Sequence, residues 1–233
     1  DGFLTKLKYQ APITMQNLMN HNAGWQDAIF QLCATDAGSV LPLGDALKAT
    51  EPAQIYEPGT ICAYSNWGAA LAGYIVERIS GQPFSEYVQD HIFKPLGMKH
   101  SALSPTFSDN PWVLSKLQEA EGYTTELEPI GDGLFYLNLY PAGSAAGTLD
   151  DFLAFAKALI PAGKGASTLF RKSETLTTML SPTLVYPGTD IGYVAHGFWS
   201  HEFSVTALGH GGNTNMYSSY LLIDPGTGVG MVI

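Results

Sequence analysis

Cations and cysteines are scarce in this chain, and long apolar runs are missing. Eleven Lys and Arg face 21 Asp and Glu, a net charge of -10, which repels phosphate backbones and anionic lipid and argues against a nucleic-acid partner. No window approaches the roughly 18 to 20 consecutive apolar residues of a membrane span, and no basic segment followed by an apolar one opens the sequence. Only Cys33 and Cys62 occur, in unlike contexts and far from any metal-ligand spacing; they read as two free buried thiols, with a single disulfide as the alternative. The six histidines (21, 91, 100, 196, 201, 210) show no HExxH or similar pairing, so neither metal nor cofactor is implied.

What is present is enough apolar material for a substantial core: 45% hydrophobic and 12% aromatic residues over 233 positions suit one large domain or two intimately packed lobes. "ITMQNLMNHNAGW" predicts a short helix with Thr14 as N-cap and Asn22-Ala23-Gly24 as its C-terminal stop. A helical turn is expected at 45–50. A helix from Asn66, apolar around most of its girth and so buried, ends at Ser80-Gly81; another starts with Pro83 at its first position and ends at Lys94-Pro95. Residues 101–140 read as loop-rich with short strands. Thr148 caps a helix with Asp151 as its capping-box acid and Leu149, Phe152, Leu153, Phe155, Ala156 and Leu159 on the buried face, and a further helix lies near 168–180. Beyond that the period changes to short β-prone runs, with "DPGTG" as a hairpin signal. The expectation is an α+β chain, with a mostly helical middle and an antiparallel sheet in the last third.

Two stretches carry chemistry. "CAYSNWGAALAGYIVERISG" (62–81) places a phenol and a carboxamide, Tyr64 and Asn66, at the entrance to the buried helix. A tyrosine there can shuttle a proton if a cation lowers its pKa from about 10, and the asparagine offers a donor and an acceptor toward the same cleft. From the triplet by itself the plain structural reading leads: Asn66 as an N-cap and Tyr64 as a half-buried ring. "GHGGNTNMYSSYLLIDPGTG" (209–228) sets His210, Gly211 and Gly212 on a strand before a hairpin, where glycines admit a ligand's backbone.

With "ITMQNLMNHNAGW", "YSNWGAALAGYIVERISGQPFSEYVQDHIFKPLGMKHSAL" and "PAGSAAGTLDDFLAFAKAL", these stretches resemble the serine β-lactamase and penicillin-binding protein superfamily. The likeness is to the class C β-lactamase-like branch, which also holds D,D-peptidases, D-amino-acid peptidases and esterases. The resemblance implies one β-lactamase/transpeptidase-like domain over 1–233, with a helical lobe at roughly 13–180 and sheet strands at roughly 190–233. It implies that Tyr64 helps activate a nucleophile and protonate the leaving group, that Asn66 holds the substrate amide, and that His210-Gly211-Gly212 stands where many relatives have Lys-Thr-Gly. The His210 ring would orient a substrate carboxylate or tune the tyrosine, and the Asn213 backbone N–H would form one arm of an oxyanion hole.

The sequence departs from that family at one point. It contains no Ser-x-x-Lys, the motif that supplies the nucleophilic serine and its lysine. The resemblance puts that motif upstream of Thr14, and it also puts N-terminal strands and a closing helix outside the present ends. Neither rival serine replaces it. Ser108-Asp109-Asn110 spells a class A motif but sits before Pro111-Trp112 in a loop-like region, and Ser144 in "AGSAAG" lacks the Gly-x-Ser-x-Gly pattern. Three functions follow: a serine acyl-transfer hydrolase of which this is an incomplete copy, a catalytically inactive peptide- or peptidoglycan-binding module, or a segment inactive by itself. The 233 residues alone are expected to be inactive. The implied partners are β-lactams, D-amino-acid peptides or esters. Extracytoplasmic action and a membrane tether in the full-length protein are inherited from the resemblance.

Overall fold

The computed structural model describes residues 2, 4–27, 29, 32–160 and 169–233. In chain order its helices are α1 (Met15–Met19), α2 (Leu43–Ala49), α3 (Asn66–Ser80), α4 (Phe84–Val88), α5 (Lys94–Leu96), α6 (Pro111–Glu119), α7 (Leu149–Leu159) and α8 (Ser173–Met179). Its strands are β1 (Ser101–Ala102), β2 (Glu121–Tyr123), β3 (Pro129–Asp132), β4 (Ala146–Gly147), β5 (Leu184–Val185), β6 (Gly192–Ala195), β7 (Phe198–Glu202), β8 (Thr206–Asn213), β9 (Ser218–Asp224) and β10 (Val229–Val232). They group into two compact units, Asp1–Val88 with Ala102–Ala146, and Gln89–Ser101 with Gly147–Ile233.

The first unit is built around α3. Ser65 caps it, its Oγ accepting the Gly68 N–H at 3.0 Å, and Gly81, with φ 74°, ends it in the left-handed conformation that glycine tolerates best. Trp67, Ala70 and Leu71 are buried, and Trp67 meets Trp25 edge-on at 4.6 Å while its Nε1 donates to the Leu47 carbonyl of α2. Gly73 is required by close approach, since a Cβ there would lie 2.5 Å from Pro141. A satellite core of Ala102, Phe107, Val113 and Leu117 lies under α6.

The second unit is a six-stranded antiparallel sheet, in the order β10-β9-β8-β7-β6-β5. Leu208, Leu221, Ile223 and Val232 pack from the sheet against Ala156 and Leu159 of α7 and Leu176 and Leu180 of α8. Register puts Leu208 opposite Ile223, His210 opposite Leu221 and Gly211 opposite Tyr220. Strand alternation therefore turns His210 to the same face as Leu208, and Gly209 and Gly211 to the other.

Several local expectations are corrected. Helix α1 stops at Asn20 rather than at Gly24; Gly24 has φ 91°, and a Cβ there would lie 2.0 Å from the Tyr56 carbonyl oxygen, so it serves a loop contact and not a helix cap. Burial of α3 is confined to its first half, and Ile79 is 83% exposed. The helix from Pro83 does not end at Pro95: a π turn at Gln89–Phe93 resets the ladder, and Pro95 enters the first turn of α5, where its missing N–H is harmless. Asp151 does not complete a capping box. Thr148 Oγ accepts the Asp151 N–H, but the carboxylate instead accepts His100 N–H at 2.7 Å and Ser101 Oγ at 2.8 Å. Leu149 points outward. The 101–140 region holds α6, capped by Asn110 and started by Pro111.

Candidate active site

Tyr64 and Asn66 sit in the first unit, at the mouth of α3. The segment 20–24 is laced to the segment leading into the helix: the His21 carbonyl accepts Ala63 N–H at 2.7 Å, the Asn22 carbonyl accepts Gly59 N–H at 2.8 Å, and Cys62 Sγ donates to the Asn20 carbonyl. His21 takes a left-handed backbone, φ 50°, which is strained for a residue with a Cβ and is held by these contacts. Its buried ring lies 4.4 Å from the Tyr64 ring, and its Nδ1 accepts the Ser65 N–H at 3.2 Å, which puts a ring proton on Nε2.

Ser65 does the capping, so Asn66 is the first helical residue and not the cap. The Asn66 backbone N–H and Nδ2 both donate to Asp27, at 3.2 and 3.0 Å, one to each carboxylate oxygen. That engagement uses the donor end of the amide and leaves its acceptor, Oδ1, outside the contact with Asp27. Tyr64 is 38% exposed. Burial first, and then the Asp27 charge, raise its hydroxyl above the ordinary phenol pKa. The expected lowering by a cation is thus reversed by the described residues, and the phenol is held protonated.

His210, Gly211, Gly212 and Asn213 lie in the second unit on β8, paired with β9. Pairing with β7 runs only as far as Gly209, so the ladder on that side stops short of the His210–Asn213 segment. His210 Nδ1 lies 2.6 Å from the Gly211 carbonyl, and a carbonyl can only accept, so the proton is on Nδ1. Gly209 and Gly211 are dictated by crowding: a Cβ would lie 2.1 Å from the Leu221 carbonyl oxygen at the first and 2.7 Å from the Tyr220 ring at the second, whereas Gly212 has ordinary room. Asn213 Oδ1 accepts from Ser218 Oγ at 2.8 Å.

Of the rival serines, Ser144 is fully buried, and Ser108 Oγ accepts from Thr106 Oγ1 at 3.1 Å in a turn where Asp109 ties the Leu103 and Ser104 N–H groups and Asn110 caps α6. Both cysteines are free, but Cys33 is exposed and Cys62 only half-buried, so the expected burial is not observed. Sequence reasoning missed His21 and Asp27. No spacing rule links residue 27 to residue 66, and the one cue at His21 is its place before Asn22-Ala23-Gly24.

Comparison with known proteins agrees with this architecture. The family model described as Beta-lactamase matches residues 6–233. The chain is 28% identical over 150 residues to PbpX of Bacillus subtilis (strain 168), covering 64% of this chain and 35% of that protein. It is 27% identical over 179 residues to penicillin-binding protein 4 of Amycolatopsis lactamdurans, covering 74% and 46%. It therefore spans less than half the length of either relative. The D-amino acid amidase of Ochrobactrum anthropi SV3, solved with D-phenylalanine, superposes with TM-score 0.68 at 26% identity over 95% of this chain and 70% of that one. A class C beta lactamase shares the fold, with TM-score 0.64 at 17% identity over 94% and 64%. Matched along nearly its whole length by that family model, the chain belongs to the Beta-lactamase family.

Proposed function

We propose that the full protein is a serine acyl-transfer hydrolase acting on β-lactams, D-amino-acid peptides or amides, or esters, outside the cytoplasm. A serine hydroxyl attacks the substrate carbonyl, the C–N or C–O bond breaks as the leaving group takes a proton, and water then cleaves the acyl-enzyme. The observation that carries this reading is the family match over residues 6–233, joined to a Tyr64–Asn66 pair anchored independently of the helix cap. The serine belongs to a Ser-x-x-Lys motif that these 233 residues do not contain, and its lysine supplies the charge that opposes the upward push on the Tyr64 hydroxyl.

In this reading Tyr64 relays the proton and Asn66 Oδ1 accepts the substrate's amide N–H. Gly211 and Gly212 let the substrate backbone approach, and the Asn213 backbone N–H stabilises the oxyanion. His210, with Nδ1 committed to Gly211, donates from Nε2 to a substrate carboxylate when the ring is charged. The names of relatives, a penicillin-binding protein and a D-amino acid amidase, support the substrate class.

The test is the intact mass of the full-length protein before and after incubation with a penicillin. One penicillin added on a serine is the expected result. No adduct, with no turnover of D-amino acid amides or esters, overturns acyl transfer and favours the second reading, a binding module of the same fold, whose motivation is the missing Ser-x-x-Lys.

A further inference from the structure

Residues 4–13 lie in no helix or strand, yet residues 5–9 are held in place by two buried side chains. Glu51 Oε1 accepts the backbone N–H of Thr5 at 2.7 Å and that of Lys6 at 2.9 Å, and Glu51 Oε2 accepts the Thr5 hydroxyl at 2.6 Å. Lys6 Nζ donates to the Glu51 carbonyl. Gln54 Oε1 accepts the N–H of Lys8 at 2.9 Å and that of Tyr9 at 3.1 Å. Glu51 is 4% and Gln54 3% exposed. The Gln54 amide also reaches a second segment, its Nε2 donating to the Ala23 carbonyl at 3.0 Å. Backbone bonds run beside it, from Gln26 N–H to the Ala53 carbonyl and from Ile55 N–H to the Gly24 carbonyl. Residues 51–55 therefore join residues 5–9 to the 20–24 segment, which is laced in turn to the approach to Tyr64.

A buried carboxylate carries a desolvation cost that an apolar side chain would not. Apolar packing is non-directional and would let residues 5–9 slide. A carboxylate that takes two N–H groups on one oxygen and a hydroxyl on the other admits one register. We propose that Glu51 is a positioning residue for acyl transfer: together with Gln54 it fixes residues 5–9 against the 20–24 segment, and so sets where the nucleophile arrives relative to the Tyr64 hydroxyl. This rests on the proposed function, in which the serine lies upstream of Thr14 and outside these 233 residues, so that residues 5–9 are the stretch through which it is connected to the Tyr64–Asn66 site.

The test is single-turnover acylation of the full-length protein by a penicillin or by p-nitrophenyl acetate, whichever the parent turns over, with Kd and the acylation rate constant resolved separately. Melting temperatures are measured on the same samples, and rates are read where every variant is folded. Glu51→Gln is expected to slow acylation by about 10- to 100-fold, the scale of a displacement of about 1 Å, with Kd little changed. Thr5 is exposed, so its variants test the same contact with little effect on folding: Thr5→Val is expected to slow acylation by less than Glu51→Gln does, and Thr5→Ser to keep the parent's rate. A Glu51→Gln protein that melts lower but acylates at the parent's rate overturns the inference, since a merely structural acceptor would behave that way. A loss confined to Kd overturns it as well. If Glu51→Gln does not fold, the Thr5 pair decides: equal acylation rates overturn the inference, and a slow valine variant beside a parental serine variant supports it. A parent that forms no acyl adduct with either probe sinks the proposed function and the inference together; acylation indifferent to Glu51 and Thr5 sinks the inference alone.

Discussion

Tyr64 and Asn66 are positioned by side chains from some 40 residues away, His21 and Asp27, whereas His210, Gly211 and Gly212 are positioned by a backbone ladder to a strand that follows them directly. The first arrangement stores its precision in polar contacts and a strained residue. The second stores it in close packing, with glycines where no side chain fits. Substitutions should therefore damage the first through chemistry and the second through stability.

The largest effect separating the two is expected at Tyr64. Tyr64→Phe in the full-length protein should slow acylation by about 10²- to 10⁴-fold with little change in melting temperature, because the ring keeps its packing on His21. A variant acylating at the parent's rate would remove Tyr64 from the mechanism. Next comes the strand. Gly209→Ala should destabilise by about 3 kcal/mol, as its Cβ would meet the Leu221 carbonyl oxygen, while Gly212→Ala should cost under about 1 kcal/mol; equal urea midpoints for the two would break the packing account. Ser65→Ala is smaller, about 1 kcal/mol for a lost N-cap, read as a shift in the denaturation midpoint.

The smallest effect is alkaline. Burial with Asp27 raises the Tyr64 pKa, and burial with the Glu77 carboxylate raises that of Tyr140. The unfolded tyrosines, with pKa near about 10, ionise first. The contribution of these two phenols is thus fully present below pH about 10 and fades as pH rises toward their folded values. Urea midpoints from pH 9 to 11 should fall accordingly. Asp27→Asn should bring the Tyr64 midpoint only part of the way down, because burial is the larger cause; a return to the ordinary phenol value would reverse that order.

The legible parts of the molecule are those written in nearby residues. Thr14, Asn66 through Gly81, Thr148 and the Asp224-to-Gly228 hairpin all appear where caps, turn residues and apolar spacing put them. The reading failed where a distant contact competed. Asp151 left its capping box to hold His100 and Ser101, and Gly24 answered to Tyr56 rather than to α1. Among the candidate site residues, Tyr64, Asn66 and His210 were identifiable as types in a motif, yet the sign of the Tyr64 shift was not, since it depends first on how the fold buries the ring and then on a carboxylate 37 positions earlier.

By itself the sequence determined the α+β class, the starts of α1, α3 and α7, the strand run of the last third and the family, because each is encoded by residues within a few positions of one another. The tertiary structure alone decided which acid faces Asn66, which histidine packs against Tyr64 and which glycines of β8 are irreplaceable. The reason is that hydrogen bonds, desolvation and steric contact act through space, and residues 27 and 66 become neighbours only when the chain has folded.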